Sequence, residues 1–334
     1  MVGSLIEGDF SAGLDAVVRR VFPGARMDNL RRLSGGASQE TWAFEAVGES
    51  GSTPLILRRA PGGERVHDSA VGLEGEAALM RLAGAVGVPE PPVHYVLEPG
   101  DGIGRGFVCG FIEGETLGRK IVRDERFAEA RKTLAFECGR TMARIHELPL
   151  DKLPKLRMAT ARGRVEEIYT RYKADGRPRP VISLAFEWLR AHAPPEPSAP
   201  KLVHGDFRNG NLIVGPDGLR AVLDWEIAHL GDPIEDLGWV CVGPWVFGGI
   251  DKPVGGFGTI EQLLDGYKAG GGDDVDPSHI KWWTVLGSTS WGVSCSAMTH
   301  TFRDGIEKTA DRAMIARRSS ENEIDILNLI APRG

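Results

Sequence analysis

Cysteine is scarce and scattered. Of 334 residues four are cysteine, at positions 109, 138, 241 and 295, with no CxxC pair and no Cys/His spacing of the kind that ligates zinc. That argues against a disulfide-stapled secreted domain and a structural zinc site, and makes a reducing cytoplasm the expected setting. Long apolar runs are missing as well. The opening MVGSLIEGDFSAGLDAVV has no basic flank ahead of an extended apolar stretch, so no export signal is read there. The most apolar late stretch, 285–298, is broken by Ser288, Thr289, Ser290, Ser294 and Ser296 and is too short to cross a bilayer, so it reads as a buried helix. Excess positive charge is absent too: a net charge of −6 and a pI near 5.8 leave no overall footprint for nucleic acid or an anionic membrane. Small molecules are the expected partners, and the oligomeric state stays open.

What is present suffices for a core. With 42% hydrophobic and 26% charged residues, the length suits one bilobal unit or two domains. Leu14, Val17, Val18 and Val21 recur at helical spacing over 10–22, ended by Pro23-Gly24. Three short strand-like runs, 29–33, 40–47 and 54–58, are separated by glycine-rich turns and read as an antiparallel meander. A helical pattern over 70–86 and strands near 93–97 and 106–111 complete a small sheet with one helix. After Gly114 helical spacing dominates, first in a long segment at 125–147 with Phe127, Leu134, Cys138, Met142 and Ile145 on one face. The proline-rich stretch 193–200 cannot be helical. Beyond residue 259 helices are expected again, with Trp282, Trp283 and Trp291 inside.

The segment 202–238, LVHGDFRNGNLIVGPDGLRAVLDWEIAHLGDPIEDLG, carries the chemistry. A short strand leads into His204-Gly205-Asp206. Asn211 follows, then a strand, the turn Pro216-Asp217-Gly218, and a return strand ending at Asp224. The hairpin brings Asp224 back beside Asn211, so a carboxylate and an amide oxygen converge. Such oxygen ligands suit Mg2+, which uses one or two protein oxygens beside water and nucleotide phosphates. Phosphoryl transfer then needs little more than an Asp to orient and deprotonate the attacking hydroxyl, the place Asp206 occupies. A lone Asp beside Gly is ordinarily a turn residue; it is the ordered set that points to chemistry.

This segment resembles the aminoglycoside phosphotransferase family, of protein-kinase-like fold. His204-Gly205-Asp206 with Asn211 matches the kinase H-R-D-x-x-x-x-N pattern, and Asp224-Trp225-Glu226 the D-F-G position. More narrowly, the GGAS and LRR elements together with LDWEIAHLGDPIEDLG are similar to the kinase-like domains related to those fused to acyl-CoA dehydrogenases. The resemblance implies an α+β bilobal fold with a small antiparallel-sheet N-lobe (1–110), a hinge (111–114) and a mostly helical C-lobe (115–334). It implies ATP with Mg2+, Asp206 as base, and Asn211 and Asp224 as metal ligands. The turn at Gly36, Ala37 and Ser38 would cover the phosphates, although a Gly-Gly turn alone is more often just a hairpin.

On the strand 54–58, alternation sets Ile56 and Arg58 on one face and Leu55 and Leu57 on the other. Ile56 would roof the base and Arg58 reach the phosphates, where protein kinases use lysine; Arg59 reads as a solvated edge residue. Glu76 is the expected partner of Arg58, with Glu74 its rival. Backbone groups near Gly110 and Ile112 would bind adenine. His204 is expected to be structural and Arg208 to face solvent or the transferred phosphate. Glu226 would brace the loop or reach the metal through water, Asp236 would accept backbone hydrogen bonds from the catalytic loop, and Asp232 has a local role as a helix cap.

The reading is a small-molecule kinase acting on a hydroxyl of a metabolite, including a hydroxyacyl compound, or of an aminoglycoside. An aminoglycoside needs an acidic cleft, and Asp273, Asp274 and Asp276 offer either that or a solvated loop. Tryptophans 239, 245, 282, 283 and 291 would line an apolar pocket or sit in the core. A catalytically silent nucleotide-binding or scaffold protein is the alternative. A dinucleotide-dependent oxidoreductase is set aside for want of a GxGxxG turn between strand and helix.

Overall fold

A computed structural model describes residues 2–33, 39–49, 51–60, 71–306 and 308–331. The first helix, α1 (Val2–Val21), turns Leu14, Val17 and Val18 onto a five-stranded sheet. That sheet comprises β1 (Arg26–Arg32), β2 (Glu40–Gly48), β3 (Gly51–Ala60), β4 (Val93–Val96) and β5 (Arg105–Gly110), in the order β1-β2-β3-β5-β4 with every pairing antiparallel. The alternation read in β3 holds. Leu55 and Leu57 pack under α1, whereas Ile56 belongs to a different core on the opposite face.

Arg59 corrects the expectation made for it. It shares the Leu55/Leu57 face and is only 9% exposed. Its guanidinium donates to Glu40 (2.8 Å) and to the Ile103 carbonyl (3.1 Å) and stacks 3.5 Å from the Phe10 ring centroid. Strand parity, not solvent, decides where this arginine goes, because its long stem covers apolar surface while its head finds polar partners.

Helix α2 (Leu73–Ala85) lies against β4 and β5 and buries Glu76, Ala77, Leu79, Met80 and Ala83. After β5 come a short α3 (Gly118–Arg123) and the central α4 (Ala128–His146), which a 3₁₀ turn over Glu125–Phe127 introduces. The remaining helices are α5 (Ala161–Asp175), α6 (Pro180–Ala191), α7 (Ile234–Trp239), α8 (Ile260–Ala269), α9 (Pro277–Arg303), α10 (Ala310–Ala316) and α11 (Ser319–Ile330). Between α6 and α7 run β6 (Lys201–Val203), the hairpin β7 (Leu212–Gly215) with β8 (Gly218–Val222), and β9 (His229–Gly231), which pairs with β6.

Glycines let α4 and α8 touch backbone to backbone. A Cβ on Gly139 would lie 2.0 Å from the Leu263 carbonyl oxygen, and one on Gly266 would lie 1.9 Å from that of Phe136. Farther out, Phe186, Leu189, Trp282, Trp283 and Ile326 build a second core from α6, α9 and α11. Trp282 and Trp283 are inside as expected, but Trp291, half-buried, is not fully so. The principal core is continuous between sheet and helices: Leu79, Phe107 and Cys109 join Leu134, Cys138, Leu202, Val222, Leu237 and Leu263 in one cluster. All four cysteines are free and buried. No helix among the described residues is long and apolar enough to cross a membrane.

Candidate active site

The loop after β6 is held from below. Asp236, fully buried on α7, accepts the His204 N–H at Oδ2 and the Gly205 N–H at Oδ1, each at 2.8 Å. Its Oδ2 also meets His146 Nε2 at 3.0 Å, and His146 Nδ1 lies 3.0 Å from the Tyr267 hydroxyl. A carboxylate can only accept, so the imidazole carries a proton on Nε2, and its Nδ1 shares a hydrogen bond with the tyrosine hydroxyl. His146 and Tyr267 carry no motif in the sequence; only the crossing of α4 and α8 brings them here. Gly205 has φ +82°, and a Cβ there would meet the Ile227 carbonyl at 2.9 Å, which explains glycine at this position. His204 is buried, its ring against Trp225 at 4.6 Å, with Nδ1 accepting the Asp206 N–H at 3.2 Å. Burial holds its pKa below the usual value, as suits a neutral structural imidazole.

Asp206 is thereby lifted toward the cleft. Its Oδ1 accepts from Arg208 Nε (2.9 Å) and Trp239 Nε1 (2.8 Å), and its Oδ2 from Asn211 Nδ2 (2.6 Å). Arg208 is partly exposed and paired with Asp206, with its guanidinium 4.5 Å over the Trp245 ring. Burial raises the Asp206 pKa; Arg208 opposes the rise and Asp224 adds to it.

Asn211 and Asp224 come together through the backbone, the Leu223 N–H donating to the Asn211 carbonyl at 2.8 Å. With the Asn211 amide nitrogen spent on Asp206, its Oδ1 is the atom that points elsewhere. Asp224 adopts φ +72°, unusual for a residue with a Cβ and a mark of local strain at the end of the hairpin.

Across the cleft, Arg58 Nη1 reaches Glu76 Oε1 at 2.5 Å, Nη2 reaches Gln39 Oε1 at 2.9 Å, and Nη2 stands 3.4 Å from Asp224 Oδ1. The rival Glu74 is paired with Arg105 on the surface. Burial pushes the Glu76 carboxyl up to about 7, with Arg58 opposing and Asp224 and Glu226 adding to the rise. Glu226 is half-buried; its carbonyl receives the Val71 N–H at 2.8 Å, and burial together with Asp224 raises its carboxyl pKa.

At the edge of β5 the Gly110 N–H donates to the Pro92 carbonyl (2.9 Å) and the Phe111 N–H to that of Pro54 (3.0 Å). The Ile112 N–H has no hydrogen-bond partner among the described residues. Cys109 beside them has its thiol pushed up to about 12 by burial. Gly36, Ala37 and Ser38 lie outside the described residues.

The five tryptophans divide. Trp282 and Trp283 spend their indole N–H groups on the Leu189 carbonyl and Asp232. Trp239, Trp245 and Trp291 contact one another in series as tilted rings, at centroid distances of 5.5 and 5.0 Å, with Trp239 bonded to Asp206. That Trp239 holds the carboxylate of Asp206 had no counterpart in the motif. The acidic run lies elsewhere: Asp274 pairs with Lys268 at 2.7 Å and Asp276 caps α9. Asp232 accepts the Ile234 N–H at 2.9 Å, but the cap position of α7 falls on Pro233, one residue later than read.

A small antiparallel sheet over a helical body, with a loop and hairpin of this connectivity at their junction, defines the protein-kinase-like class. The model of the Phosphotransferase enzyme family matches residues 29–276, and the chain belongs to that family. Among solved structures it is similar to a proposed aminoglycoside phosphotransferase from Ralstonia eutropha (TM-score 0.75, 21% identity, 95% of this chain and 97% of that one). It is also similar to a spectinomycin phosphotransferase in complex with ADP and spectinomycin (TM-score 0.60, 16% identity, 96% and 94% covered). At these identities the likeness shows the fold. Among curated proteins, mouse acyl-CoA dehydrogenase family member 10 is 30% identical over 200 residues, 56% of this chain and 18% of that protein. Human acyl-CoA dehydrogenase family member 11 is 24% identical over 302 residues, 85% and 37% respectively. The chain thus spans well under half the length of these relatives.

Proposed function

We propose that the protein transfers the γ-phosphate of ATP to a hydroxyl of a small acceptor, with residues 1–110 as nucleotide lobe, 111–114 as hinge and 115–334 carrying the catalytic loop and acceptor site. The observation that carries this reading is the convergence of Asp206, Asn211 and Asp224 through the Asn211–Asp206 bond and the Leu223–Asn211 backbone bond. The donor set fits magnesium. Asn211 Oδ1 and the Asp224 carboxylate are hard oxygen ligands, and Asp224 contributes to the raised pKa values of Asp206 and Glu226, a crowding of carboxylates that a divalent cation relieves. When bound, magnesium would neutralise charge on the transferring phosphates.

Asp206 orients the acceptor hydroxyl and takes its proton as the new oxygen–phosphorus bond forms and the bond from the γ-phosphorus to the β–γ bridging oxygen breaks, releasing ADP. Asn211, Arg208 and Trp239 fix the carboxylate. Arg58, positioned by Glu76 and Gln39, binds phosphate oxygens. The Gly110 carbonyl and the Ile112 N–H pair with the adenine edge under Ile56. His204 and Asp236 hold the loop without touching the reactants.

The carboxylates at 273–276 belong to a helix boundary, and aromatic rings flank Asp206, which favours a metabolite over a polycationic antibiotic. The names of the curated relatives make hydroxyacyl compounds part of the panel to test. Mg-ATP is supplied with hydroxyacyl compounds, amino alcohols, sugars and aminoglycosides, and products are followed by ³¹P NMR. An acceptor-dependent phosphate ester is expected. Asp206→Asn should slow its formation about 10²- to 10⁴-fold while nucleotide binding persists. Turnover unchanged in Asp206→Asn would sink the assigned base, and Mg-ATP binding with no product from any acceptor class would favour a silent nucleotide-binding protein.

A further inference from the structure

Six cations gather round two adjoining hollows on the helical body, between α3, the start of α4 and the loop 246–257. The first, of about 580 Å³, is lined by Arg123, Arg131, Lys132 and Lys252, and no carboxylate among the described residues lines it. The second, of about 920 Å³, carries Arg119, Lys120 and again Arg123, reaches Gly210 of the catalytic loop, and has Asp124 as its one carboxylate among the described residues. This concentration lies on a chain with 40 Lys and Arg against 46 Asp and Glu, so general composition does not account for it.

Lys132 and Lys120 have partners in Glu129 (2.6 Å) and Glu115 (3.1 Å). Arg131 instead donates to the carbonyls of Ile121 (2.9 Å) and Asp124 (2.7 Å), and Arg123 to that of Phe247 (3.1 Å). Carbonyls fix a guanidinium in place without cancelling its charge. Lys252 is exposed and makes no ion pair among the described residues.

The facing wall is close-packed glycine backbone beside Phe257 and Gln262, its Gly249 and Gly256 N–H groups already donating to the Val246 and Lys252 carbonyls. A Cβ on Gly249 would lie 2.4 Å from the Gly256 carbonyl, and one on Gly256 would lie 2.1 Å from that of Val246, so two glycine stretches pack main chain on main chain. Asn209 ties this wall to the catalytic loop by donating to the Gly255 carbonyl at 2.9 Å. Planar guanidinium forks with an exposed lysine beside them suit the several oxygens of a phosphate, and this much uncancelled charge exceeds what a single carboxylate would balance.

We propose that these hollows bind a phosphate group at the anionic end of the acceptor, whose hydroxyl reaches Asp206 past Gly210. The proposal rests on the kinase reading for the acceptor's identity, while the anion site itself does not.

The test is calorimetric titration of pyrophosphate into the full chain, with the nucleotide cleft saturated by AMP-PNP and magnesium in excess of both. Wild type and Lys252→Arg should bind within about twofold of each other, and Lys252→Glu at least about tenfold more weakly. No binding, or equal binding by Lys252→Glu, overturns the site. With the acceptor found by the transfer assay, pyrophosphate should compete against acceptor and leave the KM for ATP unchanged; binding that leaves the acceptor KM untouched overturns the acceptor assignment in favour of a free phosphate ligand. Because pyrophosphate binding needs no turnover, charge-sensitive binding by a protein that transfers no phosphate would refute the kinase reading alone.

Discussion

Trp239 and Arg208 share one oxygen of Asp206 while Asn211 holds the other, so the carboxylate enters the reaction already oriented. Removing the indole N–H while keeping a ring isolates that effect. Trp239→Phe should lower kcat about tenfold with the Kd for ATP unchanged, in steady-state kinetics read beside nucleotide titration, since a hydrogen bond to a charged group contributes about 1.5–3 kcal/mol. An equal loss in nucleotide affinity would mean that the indole supports the fold and not the base. Glu76 titrates at about 7 when folded, above its ordinary 4.5, so the native state keeps a proton that the unfolded chain releases. The associated stability is present below pH 4.5 and lost as pH rises through 7. Denaturant unfolding across this range should therefore show wild type losing about 3 kcal/mol relative to Glu76→Gln, and parallel profiles would refute the buried titration.

Among the elements, the contact of α4 with α8 is the least tolerant of added atoms. Gly139→Ala places a methyl 2.0 Å from a backbone oxygen, which no rotamer can relieve, so the helices must separate. The cost should be about 1–3 kcal/mol by denaturant unfolding, and weaker retention of the catalytic loop should follow, because His146 and Tyr267 bridge these helices to Asp236. Elements of this kind were unevenly legible in the sequence. The apolar periodicities at 10–22, 70–86 and 125–147 and the Pro-Asp-Gly turn translate directly into α1, α2, α4 and the β7–β8 hairpin. Periodicity names a buried face but not its partner, so glycines at 139 and 266 looked like ordinary helix residues until the crossing supplied their reason.

For the molecule as a whole, the ordered set Asp206, Asn211 and Asp224 was legible because one short segment carries all three. What was not legible came from distant chain: Trp239 on Asp206, Arg208 turned back onto its neighbour, Arg59 drawn inward to Phe10, and the His146–Tyr267 support of Asp236. Each depends on where another element lies and leaves no local signal. The core that runs unbroken from α2 and β5 through α4, the β7–β8 hairpin and α8 has a consequence for descent. A recombination breakpoint between Phe107 and Leu202 would split this core, so only a partner half with matching apolar surface could complete it, and exchange with an unrelated fold would leave that surface uncovered.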